Sequence, residues 1–147
     1  MSLIGSIKQN QMNYVIEQIK KHEGFRSKVY KCSLGYDTIG YGFAIKDLVL
    51  DKDIADQILT RKVYDLVCKI QDKFRWFDKL PQEAADVVVN MCFQLGVTGF
   101  SKFKKTIVLL KSHKFKAASV EMLDSKWALQ TPNRAEELSH ILRNLSE

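Results

Sequence analysis

The sequence predicts an α+β fold that is mostly α, and three observations carry that expectation. Apolar residues recur at three-and-four spacing along most of the chain, as on amphipathic helices. One glycine-rich segment, residues 29–45, reads instead as paired strands. The length of 147 residues with 46% hydrophobic content suits one domain with a substantial core. No long linker, repeat or low-complexity stretch interrupts it.

Met12, Val15, Ile16 and Ile19 share one face of a first helix that closes at Glu23, with Gly24 as its stop. In the hairpin, Val29-Tyr30 enters, Ser33-Leu34-Gly35 turns, and Tyr36 to Phe43 returns with Gly40 and Gly42 between Ile39, Tyr41 and Phe43. Asp51 or Asp53 caps the next helix, whose Ala55, Ile58, Leu59, Val63, Leu66, Val67, Ile70 and Phe74 keep helical spacing over about six turns. Pro81 starts a helix that is apolar on nearly every side through Leu95, so it is the predicted core helix. Asn90 and Gln94, four apart on it, either find polar partners inside the fold or line a cleft. Helices over Ser101–Lys111, Lys114–Leu123 and Pro132–Leu145 follow, the last capped by Thr131, with Trp127 packed as core.

The chemistry concentrates between His22 and Gly42. A carboxylate at the negative end of a helix dipole, in a cleft, is held toward its protonated form, the state a general acid requires. Glu23 occupies such a helix end; the plainer alternative is a solvated glutamate. His22 lies about 100° round the helix from it, a flanking position. Glycines at alternate positions of the returning strand leave one face bare for a bulky ligand, with Tyr30, Tyr36 and Tyr41 as sugar-stacking surfaces. A tightly twisted hairpin with half-buried edge tyrosines accounts for the same residues equally well.

The segment resembles the catalytic segment of the phage-type lysozymes, the bacteriophage T4 lysozyme-like endolysins of glycoside hydrolase family 24. Their pattern is Glu, eight residues, Asp or Cys, five residues, Thr, and Glu23, Cys32 and Thr38 stand at that spacing. Two later segments match as well: Asn90-Met91-Cys92-Phe93-Gln94-Leu95-Gly96 with Thr98-Gly99-Phe100, and Ser125-Lys126-Trp127 followed by Gln130-Thr131-Pro132-Asn133-Arg134. Three ordered matches are far more specific than one short motif.

The resemblance implies a two-lobed lysozyme-like fold in one domain over residues 1–147: a hairpin lobe about 24–50, a linking helix about 51–75, and a helical lobe of about 10–23 plus 80–147. It implies an N-acetylmuramidase that cleaves the β-1,4 bond between N-acetylmuramic acid and N-acetylglucosamine in bacterial peptidoglycan, without a cofactor or metal. Glu23 is then the general acid. Cys32 and Thr38 activate and place a water on the opposite sugar face, giving inversion across a gap of about 6.5–9.5 Å. Arg134 pairs with the catalytic glutamate, and Tyr30, Gln94 and Asn90 contact substrate. An endolysin of this kind acts as a monomer and waits in the host bacterial cytoplasm until released to the wall.

Several positions depart from the commoner pattern. Cys32 replaces the more frequent Asp, and an unperturbed thiol is only a few per cent ionised at neutral pH. Arg26, Lys28 and Lys31 are cationic neighbours able to lower its pKa. Asp37 does not replace the missing carboxylate, because in an extended strand it faces away from Thr38. Phe43 stands where several members carry a histidine in an ion pair. The chain between Phe43 and Asp53 is short, which removes a strand and helix present in longer members and opens the cleft on that side.

Composition narrows the remaining choices. The longest apolar run, around Val87–Val89, is interrupted by Asn90 and Gln94, well short of the roughly 20 residues of a membrane span. Ile4 to Gln11 is too polar for a signal-peptide core. Cys32, Cys68 and Cys92 are an odd set without disulfide or metal spacing, and His22, His113 and His140 are scattered. The three thiols read as free, in a reducing compartment. The net charge of +6 is spread over lysine-rich helices, favouring encounter with anionic murein. No nucleic-acid motif accompanies it. Two other classes stay open: a wall-binding or phage structural protein in which Cys32 has removed turnover, and a glycosidase acting on chitin-like polymers.

Overall fold

Every buried apolar side chain among the described residues lies between Ile70 and Leu142. The computed structural model describes residues 6–147, with side chains from Met12 onward. The segment 4–11 read for an export signal lies outside the described side chains, and residues 1–5 lie outside the described residues altogether. Contacts divide the chain into two compact units, Met1–Lys52 and Asp53–Glu147.

The first unit contains α1 (Ser6–Glu23) and a three-stranded antiparallel sheet, β1 (Arg26–Lys31), β2 (Asp37–Gly40) and β3 (Phe43–Ala44), in the order β1-β2-β3. The hairpin expectation is corrected here in two ways. The entering strand begins at Arg26, which pairs with Gly40, while Tyr30 pairs with Thr38; four steps on β1 against two on β2 make a bulge. The returning segment is not one strand. Gly40 and Gly42 have φ of 70° and 76°, a left-handed conformation that ends extended structure and turns the chain at Tyr41. Phe43 therefore folds back to pair with Ile39, and Ala44 with Thr38. A Cβ on Gly40 would lie 2.8 Å from the Phe43 ring. The alternate glycines thus serve a turn and a close approach, and no bare strand face results.

A short 3-10 turn (Ile45–Asp47) follows the sheet, and α2 (Lys52–Lys73) begins where the two units divide, with Asp51 immediately before its first residue. Ile70 is its buried anchor, and Ile54, Ile58 and Leu59 are exposed. In the second unit α3 (Gln82–Ser101) is the core helix as predicted, burying Ala84, Ala85, Val87, Val88, Met91, Cys92 and Phe100. Pro81 sits one residue earlier than expected, at the N-cap, and α3 continues past Leu95 across a break at Gly96 (φ 78°, ψ 158°). The remaining helices are α4 (Lys104–Lys111), α5 (Phe115–Glu121), α6 (Lys126–Gln130) and α7 (Pro132–Arg143).

Helices α4 and α7 pack against α3, α5 packs on α4 and α7, and α7 also packs on α6. The buried Ser139 hydroxyl donates to the Ser119 carbonyl at 3.0 Å, tying α7 to α5. The unforeseen α6 is started by Ser125, whose hydroxyl accepts the Ala128 N–H at 3.1 Å. Thr131 stands at the N-cap of α7, but its hydroxyl donates back to the Trp127 carbonyl at 3.0 Å and makes no cap bond. No described helix is long and apolar enough to cross a membrane.

Phe100 is fully buried between Phe74 and Phe103. Phe100→Ala is expected to lower stability by about 3–5 kcal/mol in urea unfolding. Val120→Ala, at a residue 72% exposed, is expected to stay within about 0.5 kcal/mol.

Candidate active site

In the first unit, Glu23 is the last residue of α1. Gly24 ends the helix as predicted, with φ of 70° and its N–H donated to the Lys20 carbonyl at 2.9 Å. The Glu23 side chain is exposed and reaches the second sheet turn. A Cβ on Gly42 would collide with its Oε2 and sit 3.0 Å from its Cδ. Gly42 therefore meets two demands at once: a left-handed φ, and room for a carboxylate against the backbone.

Cys32 and Thr38 are brought together across the first turn. The Cys32 N–H donates to the Tyr36 carbonyl at 3.0 Å, and the Cys32 carbonyl accepts from the Gly35 N–H at 2.8 Å. This tight turn folds its amides toward the half-buried sulfur. The thiol is held below its ordinary value of 9.0, chiefly by the backbone N–H of Tyr36, then by that of Leu34. Partial burial opposes them, and the Thr38 hydroxyl and the Gly35 amide contribute less. The cause is therefore turn amides, and the expected role of Arg26, Lys28 and Lys31 is corrected. Lys31 pairs with Asp37 at 2.8 Å, and Arg26 lies over the Tyr30 ring.

Thr38 is only 3% exposed, the one buried residue described in this unit. Its hydroxyl donates to the Tyr36 carbonyl at 2.9 Å and also interacts with Cys32. One hydroxyl carries one proton. A proton given to the carbonyl is not given to the sulfur at the same time.

The tyrosines are engaged by protein groups. Arg26 sits 4.5 Å from the Tyr30 ring centroid and Lys46 4.1 Å from that of Tyr36. Tyr41 packs with Phe25 and Phe43, at 5.4 and 6.3 Å. The twisted-hairpin reading describes these rings better than open stacking platforms do.

In the second unit, Asn90 and Gln94 are exposed on α3 and not buried, and each holds a side chain from a later helix. Asn90 receives Arg134 Nε on its Oδ1 at 2.8 Å and Arg134 Nη2 on its backbone carbonyl at 3.1 Å. Gln94 Oε1 accepts the Trp127 indole N–H at 2.9 Å. Trp127 is core as expected, 4% exposed. Among the described residues no group of three or more potential ligands is arranged to hold a metal.

The sequence profile of the family described as Phage lysozyme matches residues 20–141, most of the chain. The chain belongs to the phage lysozyme family. Membership brings a lysozyme-like glycosidase function and agrees with the mostly helical α+β architecture. Probable T4-type lysozyme 1 of Dictyostelium discoideum is 24% identical over 155 residues, covering 86% of this chain and 91% of that protein. The endolysin of Acyrthosiphon pisum secondary endosymbiont phage 1 is 29% identical over 117 residues, covering 75% and 74%. The pre-baseplate central spike protein Gp5 of Enterobacteria phage T4 is 27% identical over 157 residues; these cover 86% of this chain but 27% of Gp5.

Sequence reasoning missed three features around the candidate residues of this phage lysozyme. The turn amides on Cys32 depend on backbone geometry and carry only the weak signal of Gly35. The Asn90–Arg134 and Gln94–Trp127 pairs span 44 and 33 residues, beyond any periodicity argument. Gly42 was visible as a glycine, while its contact with Glu23 was not.

Burial pushes Cys92 up to about 12, so the two thiols separate by environment. Alkylation requires the thiolate, whose fraction grows as pH rises through the pKa. Mass-resolved iodoacetamide labelling is expected to show Cys32 reacting with a midpoint below 9.0 and Cys92 protected until the chain unfolds. Thr38→Val is expected to move the Cys32 midpoint upward.

Proposed function

We propose that this phage lysozyme is an endolysin-type N-acetylmuramidase hydrolysing the β-1,4 bond between N-acetylmuramic acid and N-acetylglucosamine in bacterial peptidoglycan with inversion. The observation that carries the reading is the turn 32–36, whose amides favour a thiolate beside buried Thr38 at the family's water-activating position. In the same unit the Glu23 carboxylate lies against side-chain-free Gly42.

In this mechanism Glu23 gives its proton to the glycosidic oxygen as the bond to the anomeric carbon breaks. A water attacks that carbon from the opposite face and loses its proton to the Cys32 thiolate. The Thr38 hydroxyl orients the water. Inversion requires about 6.5–9.5 Å between acid and base so that the water fits. The family pattern gives Arg134 as the partner of the catalytic acid. Asn90 fixes the Nε and Nη2 side of that guanidinium, so it acts as a positioning residue for Arg134. Gln94 contributes to the substrate surface, whereas the Tyr30 ring is covered by Arg26. The enzyme works as a monomer, needs no cofactor, and acts on the wall after release from the host cytoplasm.

A second reading is favoured by the likeness to Gp5, a spike protein, and by the thiol at position 32. In it the fold serves a structural or wall-binding role with little turnover.

Release of soluble muropeptides and new reducing ends from purified peptidoglycan, under reducing conditions, separates the two. Wild type is expected to release both, with Glu23→Gln slowed by at least a hundredfold. Wall binding without release by wild type would leave the structural role standing. A thiolate base further predicts that Cys32→Asp retains most activity and Cys32→Ser loses most of it. The thiolate limb of the wild-type pH–rate profile lies below 9.0, with activity growing as pH rises through it, because the proton-accepting form accumulates in that direction. Equal rates in the two Cys32 variants would remove the base role.

A further inference from the structure

The helical unit carries a charged feature that hydrolysis leaves unused. From Val87 through Val120 the sequence has no Asp or Glu, yet it has Lys102, Lys104, Lys105, Lys111, Lys114 and Lys116. Lys102, Lys104 and Lys105 come together with Lys126, the first residue of α6, around a cavity of about 600 Å³. All four lysines are exposed. Phe103 and Trp127 give the cavity an apolar wall, while Glu121 and Asp124 stand on its lining as well.

We propose that this lysine-rimmed cavity binds a phosphodiester-linked anionic polymer of the bacterial wall. Four cations against two carboxylates select an anion, and the two carboxylates steer it toward the lysine side. Lys104 and Lys105 open α4, whose first turn contains no acidic residue, so the positive end of that helix adds to the same field. No arginine occurs from Val87 to Asn133. Lysines act as point charges with rotatable donors and lack the planar fork that matches a carboxylate in two bonds. A run of such charges suits the repeated, rotationally loose phosphates of a flexible polymer. The apolar wall accommodates the carbon backbone between them.

The cavity also adjoins Gln94, since the Trp127 indole on its wall is the group that Gln94 holds. A polymer seated there would keep the enzyme on the wall that it cuts. The choice of a wall polymer over other polyanions rests on the muramidase reading.

The test is fluorescence titration with poly(glycerol phosphate), read by the tryptophans, for wild type and the variant Lys104→Gln/Lys105→Gln/Lys126→Gln. Parallel titrations use poly-L-glutamate, single-stranded oligothymidylate and phosphatidylglycerol vesicles. Wild type is expected to bind poly(glycerol phosphate), the variant at least tenfold more weakly, and added salt to weaken wild type more steeply than the variant. Equal affinity of the two proteins would overturn the site. Equal or tighter binding of poly-L-glutamate would overturn the phosphate assignment; tighter binding of the oligonucleotide or the vesicles would overturn the wall polymer as occupant. Circular dichroism checks that the variant is folded, and both proteins are expected to release muropeptides equally from peptidoglycan stripped of its anionic polymers. Binding retained by a wild type that releases nothing supports the anion site and overturns the muramidase reading alone.

Discussion

Burial of α3 is the constraint on which the helical unit depends. Val87, Val88, Met91 and Cys92 are almost without solvent contact, and α4 and α7 pack against that helix. Its exposed edge is therefore fixed in direction, and Asn90 and Gln94 on that edge inherit the rigidity of the core. Each anchors one group from far along the chain: Arg134 at the start of α7 and the Trp127 indole of α6. The core thus sets the geometry of two polar pairs without burying an unpartnered polar atom, and none is found among the described residues.

The first unit is held by other means. Its strands are short, and its described apolar side chains are all at least partly exposed, so hydrophobic burial within the unit contributes little. Local geometry takes over. Gly24, Gly40 and Gly42 adopt left-handed φ, which fixes the helix end and the second turn, while Arg26 on Tyr30 and Lys46 on Tyr36 cover the sheet with cation–π contacts worth about 0.5–1 kcal/mol each at exposed sites. A small unit built from turns places backbone amides where a core-driven fold would place side chains. This is how Cys32 gains its hydrogen-bond donors.

The thiol at position 32 shows how one residue type is adapted by its surroundings. A carboxylate is ionised at neutral pH without assistance, whereas a thiol needs stabilisation of its charged form. Here uncharged amide dipoles supply it, leaving the lysine and arginine side chains to pair with Asp37 and to cover Tyr30. The same sulfur chemistry at Cys92 is turned the opposite way by burial. Environment, more than residue identity, separates a readily ionised thiol from an inert core thiol.

Much of this was legible in the sequence. Helical periodicity located α1, α2 and the buried α3; Gly24 marked a helix end; the spacing of Glu23, Cys32 and Thr38 with the two later segments pointed to the phage lysozyme family. These are local signals, governed by repeat geometry and by backbone preferences of single residues. The sequence by itself therefore determined the fold class, the family and the candidate residues. Only the tertiary structure decided that the returning strand breaks at Tyr41, that amides and not cations depress the Cys32 thiol, and that Asn90 and Gln94 are spoken for by Arg134 and Trp127. Those outcomes depend on φ angles and on contacts between residues tens of positions apart, which no local pattern encodes because many chain paths are compatible with the same pattern.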